Sequence, residues 1–254
     1  SSRSKAKRAI MAGQIYVDQK LVDKAGTQIS IEADIEIKGD ENPYVSRGGF
    51  KLEKALSIFE VEPQGKKVID VGASTGGFTD CLLQNNAKRV YAVDVGYGQL
   101  AWKLRKDDRV EVIEKTNFRH LTRKELSVTV PLIVMDVSFI SLKLIIPAAL
   151  NFLEDNGDIV ALIKPQFEAG PDKIGKKGVI KNKKTHKDVL WDISNFFDSK
   201  NLHLKDLSFS PITGASSKNI EFLIHLKNKS SSNNMISWKE KIQDTVESAH
   251  RKLV

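Results

Sequence analysis

The chain has 254 residues, 41% of them hydrophobic, which is enough for one full domain core plus a small appendage. Its 40 Lys and Arg against 32 Asp and Glu leave a formal charge of +8, which suits a polyanionic partner, although a merely basic enzyme has the same balance. The lone cysteine, Cys81, excludes an intramolecular disulfide and a Cys-rich zinc site and points to a reducing, cytoplasmic compartment. No run approaches the ~20 apolar residues of a membrane helix, and the first residues lack the apolar centre of a signal peptide.

In chain order, residues 4–12 read as a short helix stopped by Gly13, and short strands follow at 15–17 and 35–37. Arg3, Lys5, Lys7 and Arg8 make its start wholly basic, which describes a solvated helix face and an RNA-contacting helix equally well. From Tyr44 short apolar runs alternate with amphipathic stretches. Leu52, Ala55, Leu56 and Phe59 form a helical stripe, and strands are expected at 68–71, 90–94, 110–113, 132–136 and 159–164. Helices are expected at 79–84, 145–153 and 186–199. This βα order predicts an α/β, doubly wound sheet. Strands at 203–209 and 220–226, joined by a turn-rich segment, read as an antiparallel hairpin. A polar linker, 229–234, leads to a last amphipathic helix carrying Ile242, Val246, Ala249 and Leu253, expected to pack on the body. The expected divisions are 1–43, 44–228 and 229–254.

The first strand of the larger region runs into Asp70-Val71-Gly72-Ala73-Ser74-Thr75-Gly76-Gly77-Phe78-Thr79. Glycines there let backbone approach a ligand. The next strand ends in Asp94, where a carboxylate can accept hydrogen bonds from the two ribose hydroxyls of an adenosyl group. The glycine spacing is not that of a dinucleotide site, and Asp70 would repel a pyrophosphate but attract the amino group and sulfonium of S-adenosylmethionine. That cofactor is therefore favoured over NAD, and no metal is expected.

Asp136 and Lys164 each end an apolar strand, and in a doubly wound sheet the strand ends face the ligand. A ribose hydroxyl is a poor nucleophile, so methyl transfer to it needs alignment and help with the proton. Lys164 serves as base or as positive positioner according to the charges around it.

Ser46-Arg47-Gly48-Gly49-Phe50-Lys51-Leu52, the 70–79 turn, Asp94-Val95-Gly96-Tyr97-Gly98-Gln99-Leu100, Thr116-Asn117-Phe118-Arg119, Met135 to Leu142 and Lys164-Pro165-Gln166-Phe167-Glu168 together closely resemble the TlyA or haemolysin-A-like ribosomal RNA 2′-O-methyltransferases, relatives of the FtsJ type. The resemblance implies a Rossmann-like methyltransferase sheet preceded by a small S4-like α+β RNA-binding domain whose first helix has no counterpart here. It implies a catalytic tetrad of Lys51, Asp136, Lys164 and Glu221. By local pattern alone, Lys51 is a helix-surface lysine and Glu221 a strand glutamate. It also implies a cofactor site of Asp70, Gly72, Ser74, Gly76, Gly77, Phe78, Asp94 on the ribose, Val95, Asn117 at the adenine, Phe118 and Asp136. The implied substrate is ribosomal RNA within ribosomal subunits, at a cytidine ribose, with no membrane and no obligate protein partner. Arg3, Lys5, Lys7, Arg8 and Arg47 are expected to contact it, as are Lys176, Lys177, Lys183 and Lys184 from the lysine-rich stretch between Lys164 and Lys187, which a solvated loop would also explain. The rival readings are a membrane-lysing haemolysin, an NAD-dependent oxidoreductase and an RNA-binding module without catalysis.

Overall fold

The computed structural model describes residues 3–11, 14–22, 24–37, 42–170, 173, 175, 178–214, 218–229 and 233–253. The chain divides into two compact units, residues 1–43 and 44–254. In the first, helix α1 (Arg3–Met11) precedes strands β1 (Ile15–Val17), β2 (Lys20–Leu21) and β3 (Ile35–Ile37), which form an antiparallel sheet in the order β2-β1-β3. The two-residue β2 is too short to carry a periodic signal. It pairs with β1 through a tight turn in which Asp18 and Gln19 both take positive φ.

The second unit opens with α2 (Gly48–Phe59), which buries the expected stripe Leu52, Ala55, Leu56 and Phe59 and stops where Glu60 turns left-handed. Next come β4 (Lys67–Val71), α3 (Gly77–Gln84), β5 (Arg89–Val93), α4 (Trp102–Arg105), β6 (Val110–Ile113), β7 (Val130–Met135), α5 (Leu142–Ala149) and β8 (Leu153–Ile163). After these the chain forms α6 (Pro165–Glu168), α7 (Lys183–Ser199), β9 (His203–Phe209), β10 (Phe222–Lys227) and α8 (Met235–Leu253). The seven-stranded sheet has the order β6-β5-β4-β7-β8-β10-β9; its first five strands are parallel, and β10 runs antiparallel to both β8 and β9.

Helix α7 begins at Lys183 and not at 186, β10 begins at Phe222 and so leaves Glu221 just outside the strand, and the largest difference from expectation is at β8. The helix drawn over 145–153 ends at Ala149, and β8 begins at Leu153. The polar run Glu154-Asp155-Asn156-Gly157 reads as a turn, but Asn156 accepts a positive φ and its N–H donates to the Asn228 carbonyl at 2.9 Å, so the strand continues through it.

Strand alternation sends side chains to two apolar layers. Ile69, Val71, Ile133, Met135, Ile159 and Ala161 face α5, α7 and α8, whereas Val68, Leu132, Val134, Val160 and Leu162 face α2 and α3. Helix α8 is joined to α7 by buried apolar contacts, by the Trp238 indole donating to Ser194 Oγ at 2.8 Å, and by a hydrogen bond between His186 Nδ1 and His250 Nε2 at 2.9 Å. Among the described residues no helix is long and apolar enough to cross a membrane.

Candidate active site

The parallel strands diverge from β4, with β5 on one side and β7 on the other, which makes the carboxyl ends of β4 and β7 the switch point where doubly wound sheets bind ligands. Val71 pairs with Met135, so Gly72 and Asp136 leave the sheet side by side. Gly72 has φ +84°, and a Cβ there would lie 2.8 Å from the Asp136 carbonyl oxygen. Any side chain would push the two strand ends apart. The turn that follows is tied to β5: the Gly72 and Ala73 amides donate to Val93 O, and the Ser74 amide donates to Asp94 Oδ2 at 2.8 Å. Asp94 Oδ1 accepts from the Gly96 amide at 2.7 Å. Each oxygen has thus spent one acceptor position on backbone and keeps another.

Asp70 is fully buried under this turn. Its Oδ2 accepts from Thr79 Oγ1 at 2.6 Å, while Oδ1 is buried without a hydrogen-bond partner among the described residues. Burial pushes its pKa up to about 7, the charges of Asp136 and Asp94 add to that, and the Thr79 hydrogen bonds oppose it.

The four residues of the implied tetrad meet. Lys164 Nζ lies 2.5 Å from Asp136 Oδ1 and donates to Ser138 Oγ at 2.8 Å. Lys51 Nζ donates to Glu221 Oε2 at 2.6 Å and lies 3.7 Å from Asp136 Oδ2. Asp136 thus bridges two ammonium groups. Burial by itself would lower the pKa of Lys51, but the carboxylates of Asp136 and Glu221 outweigh it and the net shift is upward. The sheet explains how residues so distant in sequence converge. Phe222 pairs with Ile163 across an antiparallel step, so Glu221, just before β10, stands beside Lys164, just after β8.

A cavity of about 420 Å³ opens at this point, lined by Arg47 and Lys51, by the turn from Gly72 to Thr75, by Gly77 and Phe78, by Asp136, Ser138 and Lys164, and by Ile212 and Thr213. This lies within the usual range for a small-molecule site.

The model of the FtsJ-like methyltransferases matches residues 44–228, and that of the S4 domain matches residues 1–35. The chain belongs to the FtsJ-like methyltransferase family. Among curated relatives of this methyltransferase, a Bacillus subtilis protein named "Putative rRNA methyltransferase YqxC" is 53% identical over 226 residues, 89% of this chain and 80% of that one. The 16S/23S rRNA (cytidine-2′-O)-methyltransferase TlyA of Mycobacterium tuberculosis is 39% identical over 227 residues, 89% of this chain and 84% of that one. A solved structure titled "Putative hemolysin from Streptococcus thermophilus" superposes with a TM-score of 0.83 at 45% identity, covering 99% of this chain and 91% of its own.

The other residues singled out in the sequence are distributed unevenly around this methyltransferase site. Gly76 and Gly77 start α3, with the side chains of Leu100 and Leu104 lying over Gly76. Phe78 is buried in the core yet reaches the cavity wall. Asp70, Gly76, Asp94, Val95, Asn117 and Phe118 do not line the cavity. Val95 and Asn117 are exposed, Asn117 Oδ1 accepts from the Arg119 amide, and the Phe118 ring packs on Phe152 in the core, which takes that ring away from a ligand. Arg47 is exposed at the cavity rim, and Arg3 and Lys7 are exposed on α1 of the first unit. The side chains of Lys5 and Arg8, and Lys176 and Lys177 altogether, lie outside the described residues. Lys183 pairs with Glu247 of α8 at 2.6 Å, so its ammonium is already engaged, and Lys184 lies in the first turn of α7, its amide bonded to the capping Asn182. Sequence reasoning passed over Thr79, the partner of Asp70, and Ser138, the partner of Lys164. Both lie inside motifs it had marked, and a hydroxyl within a few residues of a strand-end charge was the available signal.

Proposed function

We propose that this methyltransferase transfers a methyl group from S-adenosylmethionine to a ribose 2′-hydroxyl of ribosomal RNA. The observation that carries the reading is the Lys51, Asp136, Lys164 and Glu221 cluster at the strand ends beside the glycine turn. The residues present suit the cofactor. Asp70 holds an unsatisfied buried oxygen beneath the turn, Asp94 beside it has acceptor capacity left for ribose hydroxyls, and the turn itself lines the cavity that holds the charged cluster. When bound, S-adenosylmethionine supplies an electrophilic methyl on a sulfonium.

Lys164 forms an ion pair with Asp136 Oδ1 and donates a hydrogen bond to Ser138 Oγ. In that setting it is a positive positioner that favours negative charge developing on the ribose oxygen. The carboxylate of Asp136 takes the proton of the ribose hydroxyl as the hydroxyl oxygen gains the methyl, with S–C cleavage leaving the cofactor as the neutral thioether. Glu221 fixes Lys51, and Lys51 in turn holds the second oxygen of Asp136. Arg47 at the rim is suited to a phosphate of the incoming strand. The substrate named for TlyA supports cytidine as the target nucleoside.

Tritiated methyl transfer to unmodified ribosomal subunits and to bare RNA tests this. Label in alkali-resistant dinucleotides, abolished by Lys164→Ala with S-adenosylmethionine binding retained, is the expected result. Absence of label on every RNA overturns the reading.

A further inference from the structure

Glu168 and Ser141 belong to the two strand-end motifs that carry the cluster, yet neither touches the four charged residues. Glu168 lies in α6, four residues beyond Lys164, and its carboxylate reaches across to the segment that follows Asp136. Its Oε2 accepts from Ser141 Oγ at 2.5 Å, and its Oε1 accepts from the Leu142 amide at 2.9 Å. Ser141 is itself the cap of α5, accepting from the Lys143 amide at 3.1 Å. One carboxylate therefore closes the first turn of α5 and ties it to α6. The same two segments meet again where Phe139 packs on Phe167, with ring centroids 5.0 Å apart, and where Lys164 donates to Ser138.

The segment so held is under conformational load. Phe139 has φ +64°, a left-handed conformation that a residue with a bulky side chain rarely adopts, and its ring is largely exposed. Of residues 138–141 only Ile140 packs against the core, and it is half-buried, while Ser138 and Phe139 are exposed. Relaxed, the segment would carry Ser138 away from Lys164 and release one of the two acceptors that aim its ammonium.

We infer that Glu168 is a positioning residue for methyl transfer, clamping the segment after Asp136 so that Ser138 and Asp136 together orient Lys164. The inference rests on the function proposed above.

Deuterium exchange on the full chain and steady-state methyl transfer to ribosomal RNA test it together, using Glu168→Ala and Glu168→Gln. The glutamine amide can donate to Ser141 Oγ while its oxygen accepts from Leu142. In Glu168→Ala, exchange is expected to accelerate across residues 138–142. kcat falls about tenfold, with KM for RNA and calorimetric affinity for S-adenosylhomocysteine unchanged, and Glu168→Gln recovers most of both losses. An unfolded fraction would lower kcat and the calorimetric stoichiometry for S-adenosylhomocysteine together, so a kcat loss with the stoichiometry kept at its wild-type value separates positioning from destabilisation, and a stoichiometry that falls in step with kcat overturns the positioning role. Unchanged exchange in Glu168→Ala overturns the clamp, and faster exchange with unchanged kcat overturns its role in positioning. A wild-type protein that methylates no RNA overturns the functional reading and the catalytic half of this one with it, an outcome distinct from either.

Discussion

Asp70 holds its proton to a pH at which most aspartates have long lost theirs, because burial, with the charges of Asp136 and Asp94, raises its pKa to about 7. Between the unfolded value near 4 and that point, the folded state binds the extra proton, so this residue stabilises the fold fully at acidic pH and loses that contribution as pH rises through 7. Asp70→Asn removes the dependence. The melting temperature of the variant relative to wild type should rise from pH 5 to about pH 7 and level off above it, and a difference that does not change with pH would show that Asp70 is ionised throughout. Lys51 presents the opposite case, a buried cation between Asp136 and Glu221. Lys51→Ala strands Glu221, only 4% exposed, without a counter-charge, and chemical denaturation should record a loss of about 3 kcal/mol as well as lost transfer activity. Asp136 and Lys164 were readable from sequence because each closes an apolar strand. Lys51 and Glu221 were not, because a lysine in a helix and a glutamate before a strand have no local mark that separates them from surface residues. Their meaning lies in a hydrogen bond between positions 170 residues apart.

Among the elements, the turn after β4 and helix α8 separate binding from stability. At Gly72 the positive φ and the 2.8 Å approach of the Asp136 carbonyl both forbid a Cβ, so Gly72→Ala should cost more than the ~1 kcal/mol of an ordinary strained glycine and lower S-adenosylmethionine affinity at the same time. In α8, Ile242 is 2% exposed and packs in the core against the same sheet face as α7. Ile242→Ala should lower unfolding free energy by about 3 kcal/mol and leave cofactor affinity at 25 °C unaltered, which calorimetry alongside denaturant titration would establish. The strand and helix order of the parallel half was legible because β4, β5, β6 and β7 are compact apolar runs bounded by charged or glycine-rich turns. The start of β8 was hidden, since strand pairing to Val130 and Asn228 holds a polar sequence extended that by itself prefers to turn. The short α4 and α6 escaped notice because four residues do not display a helical period.

At the scale of the molecule, the two units and the charge of +8 bear on RNA binding. Phosphate contacts release counterions, so affinity for ribosomal RNA should fall linearly on a log–log salt plot. A chain reduced to residues 44–254 should keep its unfolding transition and its cofactor affinity but bind RNA more weakly and with a shallower slope. An unchanged slope would show that the first unit touches no phosphate. The placement of Glu221 has a consequence for the order in which the protein becomes active. Every residue of the glycine turn and its β5 anchor has been synthesised by Gly96, less than halfway along the chain, whereas the partner of Lys51 enters only with the reversed strand near the end. A ribosome translating this protein therefore has made every residue of the glycine turn long before it makes the last member of the charged cluster. The charged cluster cannot close until Glu221 reaches Lys51, so synthesis itself delays the enzyme from acting until the reversed strand is made and pairs with β8.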